Sequence, residues 1–284
     1  MPEVAAPVLG VIIADPPTVV LVALAGAAYA SGAHRWARQT GRPMLRPTAL
    51  ASFGLGLVAT AIALASPIDT RADTSLTAHM VQHVLLLSVA GPLLALGAPL
   101  PTLLWALPPK ARRRALAGTR RLLHTHDRRF PVWVGASLVA EALVMWGWHL
   151  PNAYQAAVRD PALHAAEHAS FLASATVAWW SVANGRRSRR GAAAIAALIG
   201  SLAGMALGSA MVLAPNPWYP IYVTAGRAAA LGDQQVAGVV MWAFGGMAAI
   251  IAGAGLFASW LAGISSHDAP PVVPPAPRLI GQRR

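Results

Sequence analysis

Apolar residues in this chain come in long unbroken runs, separated by short stretches rich in Arg, Pro and Gly. A bilayer core takes about 20 mostly apolar helical residues, with a range of about 17 to 25. Seven runs come close to that length or reach it: 18–33, 48–65, 76–96, 132–148, 162–182, 192–213 and 236–261. The stretch APLPTLLWAL at 98–107 is too short to span, and Pro99 and Pro101 mark it as an interfacial segment. The pattern predicts an all-α polytopic bundle of seven transmembrane helices over residues 1–267. The Pro-rich stretch 268–284 reads as a disordered cytoplasmic tail.

Composition supports the bilayer as solvent. Hydrophobic residues make up 56% of the chain and charged residues 11%, against roughly 25% charge in soluble domains. The 22 Lys and Arg outnumber the 10 acids, yet they fall in clusters between apolar runs and not along one amphipathic face. That distribution argues for membrane orientation and against nucleic acid as a partner. After runs one, three and five come Arg35, Arg38, Arg42 and Arg46, then Lys110 with Arg112 to Arg114, Arg120, Arg121, Arg128 and Arg129, then Arg186, Arg187, Arg189 and Arg190. Only Arg71, Arg159 and Arg227 fall on the other side, so the positive-inside rule predicts an outer N-terminus and a cytoplasmic C-terminus. The opening MPEVAAPVLG lacks a basic segment, so the first apolar run is expected to be retained.

Candidate chemistry changes the picture next. With no cysteine, disulfides, iron–sulfur clusters and thiolate metal sites are excluded, and any metal falls to His, Met, Asp or Glu. His164-Ala-Ala-Glu-His168 spells H-x-x-E-H, the inverted zinc-peptidase pattern. On a helix its three polar groups share one face. His79-Met-Val-Gln-His83 repeats the pattern as H-x-x-Q-H at the start of another helix running in the same direction. With His149 at the end of run four, five histidines gather at the predicted outer edge.

Neutral imidazoles suit copper or zinc, and two i, i+4 pairs supply up to four nitrogens. Histidines serving as amphipathic interface residues, or holding a haem, are the alternatives. Glu167 reads as a ligand, as a group orienting an imidazole, or as a general base, and its counterpart Gln82 cannot act as a base. Asp233 reads as the N-cap of run seven or as an extra ligand. Met80 and Met145 read as core filling or as Cu(I) ligands. Glu141 is the deepest acid, and hydrogen bonding and proton or metal transfer both account for it. Trp146, Trp148, Trp218, Tyr219 and Tyr222 read as an interfacial aromatic belt. His34, His124, His126 and His267 read as solvated residues of the basic side.

The stretches HMVQHVLLLSVAGPLLALGAP, WGWHLPNAY, LHAAEHASFLASATVAWW and LGDQQVAGVVMW together resemble the CtaG-type cytochrome c oxidase assembly factors of bacteria. The likeness runs over residues 76–242 and, by hydropathy, over nearly the whole chain. It implies a seven-helix protein of the bacterial plasma membrane that helps build haem–copper oxidase and works with oxidase subunits in the lipid bilayer. It also implies a role in copper supply, with no catalytic residue and no enzymatic activity. Its motifs fall on His79, His83, His149, His164, His168 and Asp233. A membrane-embedded zinc hydrolase built on H-x-x-E-H and a haem-binding redox protein are the other readings of the same residues.

Overall fold

The computed structural model describes residues 15–265, and these are helical with no strand. The helices are α1 (Pro16–Thr40), α2 (Pro47–Leu64), a short α3 (Pro67–Ala72) and α4 (Leu76–Val84), which runs through a π-helical turn (Leu85–Ala90) into α5 (Gly91–Leu96). Then follow α6 (Pro99–Ala106), α7 (Pro109–Arg128), α8 (Phe130–His149), α9 (Pro151–Arg159), α10 (Pro161–Ala183), α11 (Arg190–Leu213) and α12 (Arg227–Ser265). Proline opens most of them, where its missing N–H would have had no intrahelical partner. The π-turn lies just before Pro92, which has no N–H to give and clashes with the carbonyl four residues back, so the helix widens instead of breaking.

Among the described residues, six helices are long and apolar enough to cross a membrane: Pro16–Thr40, Pro47–Ala72, Leu76–Leu96, Phe130–His149, Arg190–Leu213 and Arg227–Leu261. The expected seventh run, 162–182, does form a helix of 23 residues, α10. It falls short in hydropathy because His164, Glu167 and His168 occupy its first turns. Those polar groups are tolerated because its buried face, which also carries Phe171, Ala175 and Ala178, looks into the bundle. Gly91 of α5 packs so tightly on α10 that a methyl there would stand 2.6 Å from the Ala175 Cβ. Lipid tails are as apolar as Leu, so such close small-residue packing replaces the hydrophobic effect between spans. Outward residues such as Leu143, 69% exposed, suit contact with lipid.

The most basic connection is not a loop but the helix α7, whose Arg112 lies over the Trp105 ring at 3.9 Å. Asp127 near its end binds Arg186 at 2.6 Å and Arg189 at 3.5 Å. Two of the basic clusters therefore meet at one end of the bundle. His34 and His124 are exposed on α1 and α7, but His126 is a correction: it is buried, with Nε2 3.1 Å from the Ser181 carbonyl and its ring 5.0 Å from Trp180. Its amphipathic ring packs against aromatic neighbours where solvent was expected. The Pro-rich tail and His267 lie outside the described residues.

Candidate metal centre

At the opposite end of the bundle from α7, the first turns of α4 and α10 lie side by side. The Ser75 hydroxyl accepts from Ala78 N to start α4, and the Asp160 carboxylate accepts from Ala162 N and Leu163 N to start α10. These caps set both helices to begin one turn before their first histidine. His79 and His83 have ring centroids 4.4 Å apart, and His164 and His168 4.3 Å. Across the helix pair His79 faces His164 at 5.1 Å and His83 faces His168 at 5.5 Å. The two sequence triplets thus form rungs at one depth.

Glu167 enters between the rungs. One carboxylate oxygen is 3.6 Å from His83 Nε2 and the other 3.9 Å from His79 Nε2. These separations are too long for hydrogen bonds. Ligand atoms of His79, His83, Glu167 and His168 all lie within 4.8 Å of one another, and all four side chains are buried. His79 Nε2, both ring nitrogens of His83, His164 Nε2, His168 Nε2 and both Glu167 oxygens are buried without any hydrogen-bond partner. An unpaired buried carboxylate costs several kcal/mol, so the group calls for a proton or a cation at its centre. Nitrogen and oxygen donor atoms converging in one buried place fit a first-row metal ion.

Tyrosines determine how the imidazoles face. Burial pushes the phenols of Tyr154, Tyr219 and Tyr222 above their ordinary range, so each keeps its proton to donate. Tyr222 gives its proton to the Ala72 carbonyl at 2.8 Å, and its oxygen lies 3.0 Å from the Tyr154 hydroxyl and 3.2 Å from His79 Nδ1. With its one proton spent, Tyr222 only accepts from His79, so the His79 proton sits on Nδ1 and the Nε2 lone pair faces Glu167. Tyr219 donates to the His149 carbonyl at 2.8 Å. Tyr219 and Tyr222, expected in an interfacial belt, are 1% and 7% exposed and brace the site instead. Trp148 is also tied inward, through Nε1 to the Ser170 hydroxyl at 2.9 Å.

The remaining expected site residues separate. His149 lies beside the group, 5.3 Å from His83 between ring centroids, with Nδ1 on the Met145 carbonyl at 2.7 Å and Nε2 3.3 Å from Met80 Sδ. Met145 turns away, its sulfur 3.7 Å from where a Gly204 methyl would stand. Gln82 gives its amide protons to the Ala63 carbonyl at 3.0 Å and Asp69 at 2.6 Å, so it ties α4 to α2 and α3. Asp233 lies inside α12 and not at its start. It accepts from Leu76 N at 2.7 Å and Thr77 N at 3.2 Å, so the helix it caps is α4. Its neighbour Gln234 accepts from Trp218 N at 2.6 Å and holds the connection that carries the tyrosines. Glu141 stands apart, lining a cavity of about 80 Å³ with Ser88, Ser201 and Met241.

His164 is the half-buried member and reaches the surface. It lines an opening of about 440 Å³ with Asp69, Asp73, Arg159 and Ile221. Asp69 and Asp73 were not singled out in the sequence. The stretch PIDTRAD before the first histidine helix carries them, with no spacing that would tie them to it.

A family model for the cytochrome c oxidase caa3 assembly factor (Caa3_CtaG) matches residues 27–263. No curated protein and no solved structure matches the chain. The matched stretch contains α4, α10 and every residue of the buried histidine–glutamate group, and it covers most of the sequence. The chain belongs to the caa3-type cytochrome c oxidase assembly factors.

Proposed function

We propose that this protein is a seven-span bacterial plasma-membrane factor that binds copper at His79, His83, Glu167 and His168 and helps supply it to cytochrome c oxidase. The observation that carries the reading is the set of buried, partnerless nitrogen and oxygen atoms converging between α4 and α10. Three imidazoles and a carboxylate take copper, with zinc the alternative occupant. Copper is cargo here, and the chain's own part is to hold it: Tyr222 and the Met145 carbonyl orient His79 and His149, while burial keeps water from competing. His164, with Asp69 and Asp73 facing Arg159 at the opening, offers a polar way in for a cation, with two acids to one base. Membership of an oxidase assembly family supports the destination. The polar α10 serves as the seventh crossing, with the face that carries Glu167, His168 and Phe171 turned into the bundle. Reporter orientation then follows from basic clusters facing the cytoplasm, with the site at the outer face.

Copper measured on purified full-length protein tests the reading. The double variant His79→Ala, His168→Ala removes one imidazole from each helix, and retained copper should fall by more than about tenfold while the protein still inserts. Wild-type copper content in that variant would refute the assignment of the ligands.

A further inference from the structure

The His149 and Met80 contact is chemically odd. His149 Nδ1 lies 2.7 Å from the Met145 carbonyl, which has no proton, so Nδ1 carries the hydrogen. No carboxylate lies within ion-pairing distance of His149 among the described residues, and the ring is 2% exposed. The neutral ring therefore presents a bare lone pair at Nε2. That lone pair faces Met80 Sδ, 3.3 Å away on a side chain with no exposure at all. A thioether has lone pairs and no proton. Two electron-pair donors thus meet in a buried place with no hydrogen between them. First-row metals bind such donors at about 2.0 to 2.3 Å, so one ion can reach both atoms.

We infer that His149 Nε2 and Met80 Sδ form a second, softer copper position beside the histidine–glutamate group, selective for Cu(I). The inference rests on the copper reading above and adds to it a sulfur ligand and an oxidation state. Thioether sulfur prefers Cu(I), whereas the carboxylate of Glu167 suits harder ions. His83 joins the two positions: its ring is 5.3 Å from His149 and 5.5 Å from His168, and both of its nitrogens lack partners. Ordinary core filling would explain Met80, since Met packs irregular gaps. It does not explain why the sulfur is aimed at a deprotonated imidazole nitrogen, when Met145 on the adjacent helix packs against Gly204.

Copper K-edge X-ray absorption on the full-length purified protein decides the matter. The chain has no cysteine, so any sulfur bonded to copper belongs to a methionine. The Cu(I)-loaded wild type should show a sulfur neighbour, Met80→Leu should lose it while keeping nitrogen neighbours, and Met145→Leu should keep it. Zinc-loaded protein should show nitrogen and oxygen only. A Cu(I) spectrum of the wild type without sulfur, or sulfur that survives in Met80→Leu, overturns the second position and leaves the copper reading standing. Failure of the wild type to bind any copper overturns both. The wild-type spectrum decides whether sulfur binds even where Met80→Leu does not accumulate.

Discussion

Tyr222 has one proton, and giving it to Ala72 leaves only an accepting oxygen for His79. Replacing it by Phe removes that acceptor together with the hydroxyl's contacts to the Ala72 carbonyl and the Tyr154 hydroxyl, while the ring keeps its place against Tyr154. His79 then loses its hydroxyl acceptor at Nδ1. Losses of such supporting hydrogen bonds typically weaken metal affinity by about 10 to 100-fold. Tyr222→Phe should therefore show a copper affinity lower by that factor in competition with a chromophoric Cu(I) chelator, at unchanged helix content. Equal affinity would mean that the tyrosine shell is only packing. At this scale the histidines and Glu167 were legible in the sequence, because i, i+4 spacing puts them on one helix face whatever the fold. The tyrosines were not. WYPIY and WGWHLPNAY have the composition of an interfacial belt, and only the folding of the 214–226 connection onto α9 turns them inward. Gln82 misleads for a related reason: it matches Glu167 in the pattern, but its amide meets Asp69 and Ala63 instead of the histidine–glutamate group.

The element that orders the site is the start of α4, and its cap comes from far along the chain. Asp233 accepts from the first two amides of α4 and from the Ser75 hydroxyl, and it places a negative charge at the helix's positive end. Asp233→Ala should cost about 0.5 to 2 kcal/mol, the range for lost N-caps, read as a lower thermal midpoint in detergent. Copper binding should weaken with it, and Asp233→Asn, which keeps an acceptor, should lose less of both. A loss of copper at full stability would instead make Asp233 a ligand. Sequence placed this residue at the opening of the last span and gave it a capping role, which is right in kind but for another helix. Local pattern reveals that an acid stands near a helix start, and only tertiary structure shows whose amides it meets. The same limit applies to α7. Arg-rich sequence between two apolar runs reads as loop, while its apolar positions give it one face for the bundle.

The whole molecule keeps two ends distinct: basic side chains around α7 and the Asp127 ion pairs at one, the buried imidazoles and the acid-lined opening at the other. Long apolar runs made this architecture largely legible, since bilayer thickness sets helix length independently of packing detail. The helix that resists hydropathy is α10, and it resists because His164, Glu167 and His168 sit on it. Count and orientation therefore stand or fall together. With α10 crossing, the connection before it at Arg159 and the one after it at Arg186 lie on opposite sides. With α10 failing to cross, the site loses one of its two walls. A reporter active only outside the membrane, fused after Arg159, should be active, and the same reporter fused after Arg187 should be silent. Each basic residue contributes to retention of its connection on the cytoplasmic side, and Arg186, Arg187, Arg189 and Arg190 stand against Arg159 alone. Activity at both positions would exclude α10 as a span and place the histidines of α4 and α10 in a half-crossing hairpin. The reverse pattern would put the opening beside His164 in the cytoplasm, and copper would then have to reach the site from inside the cell.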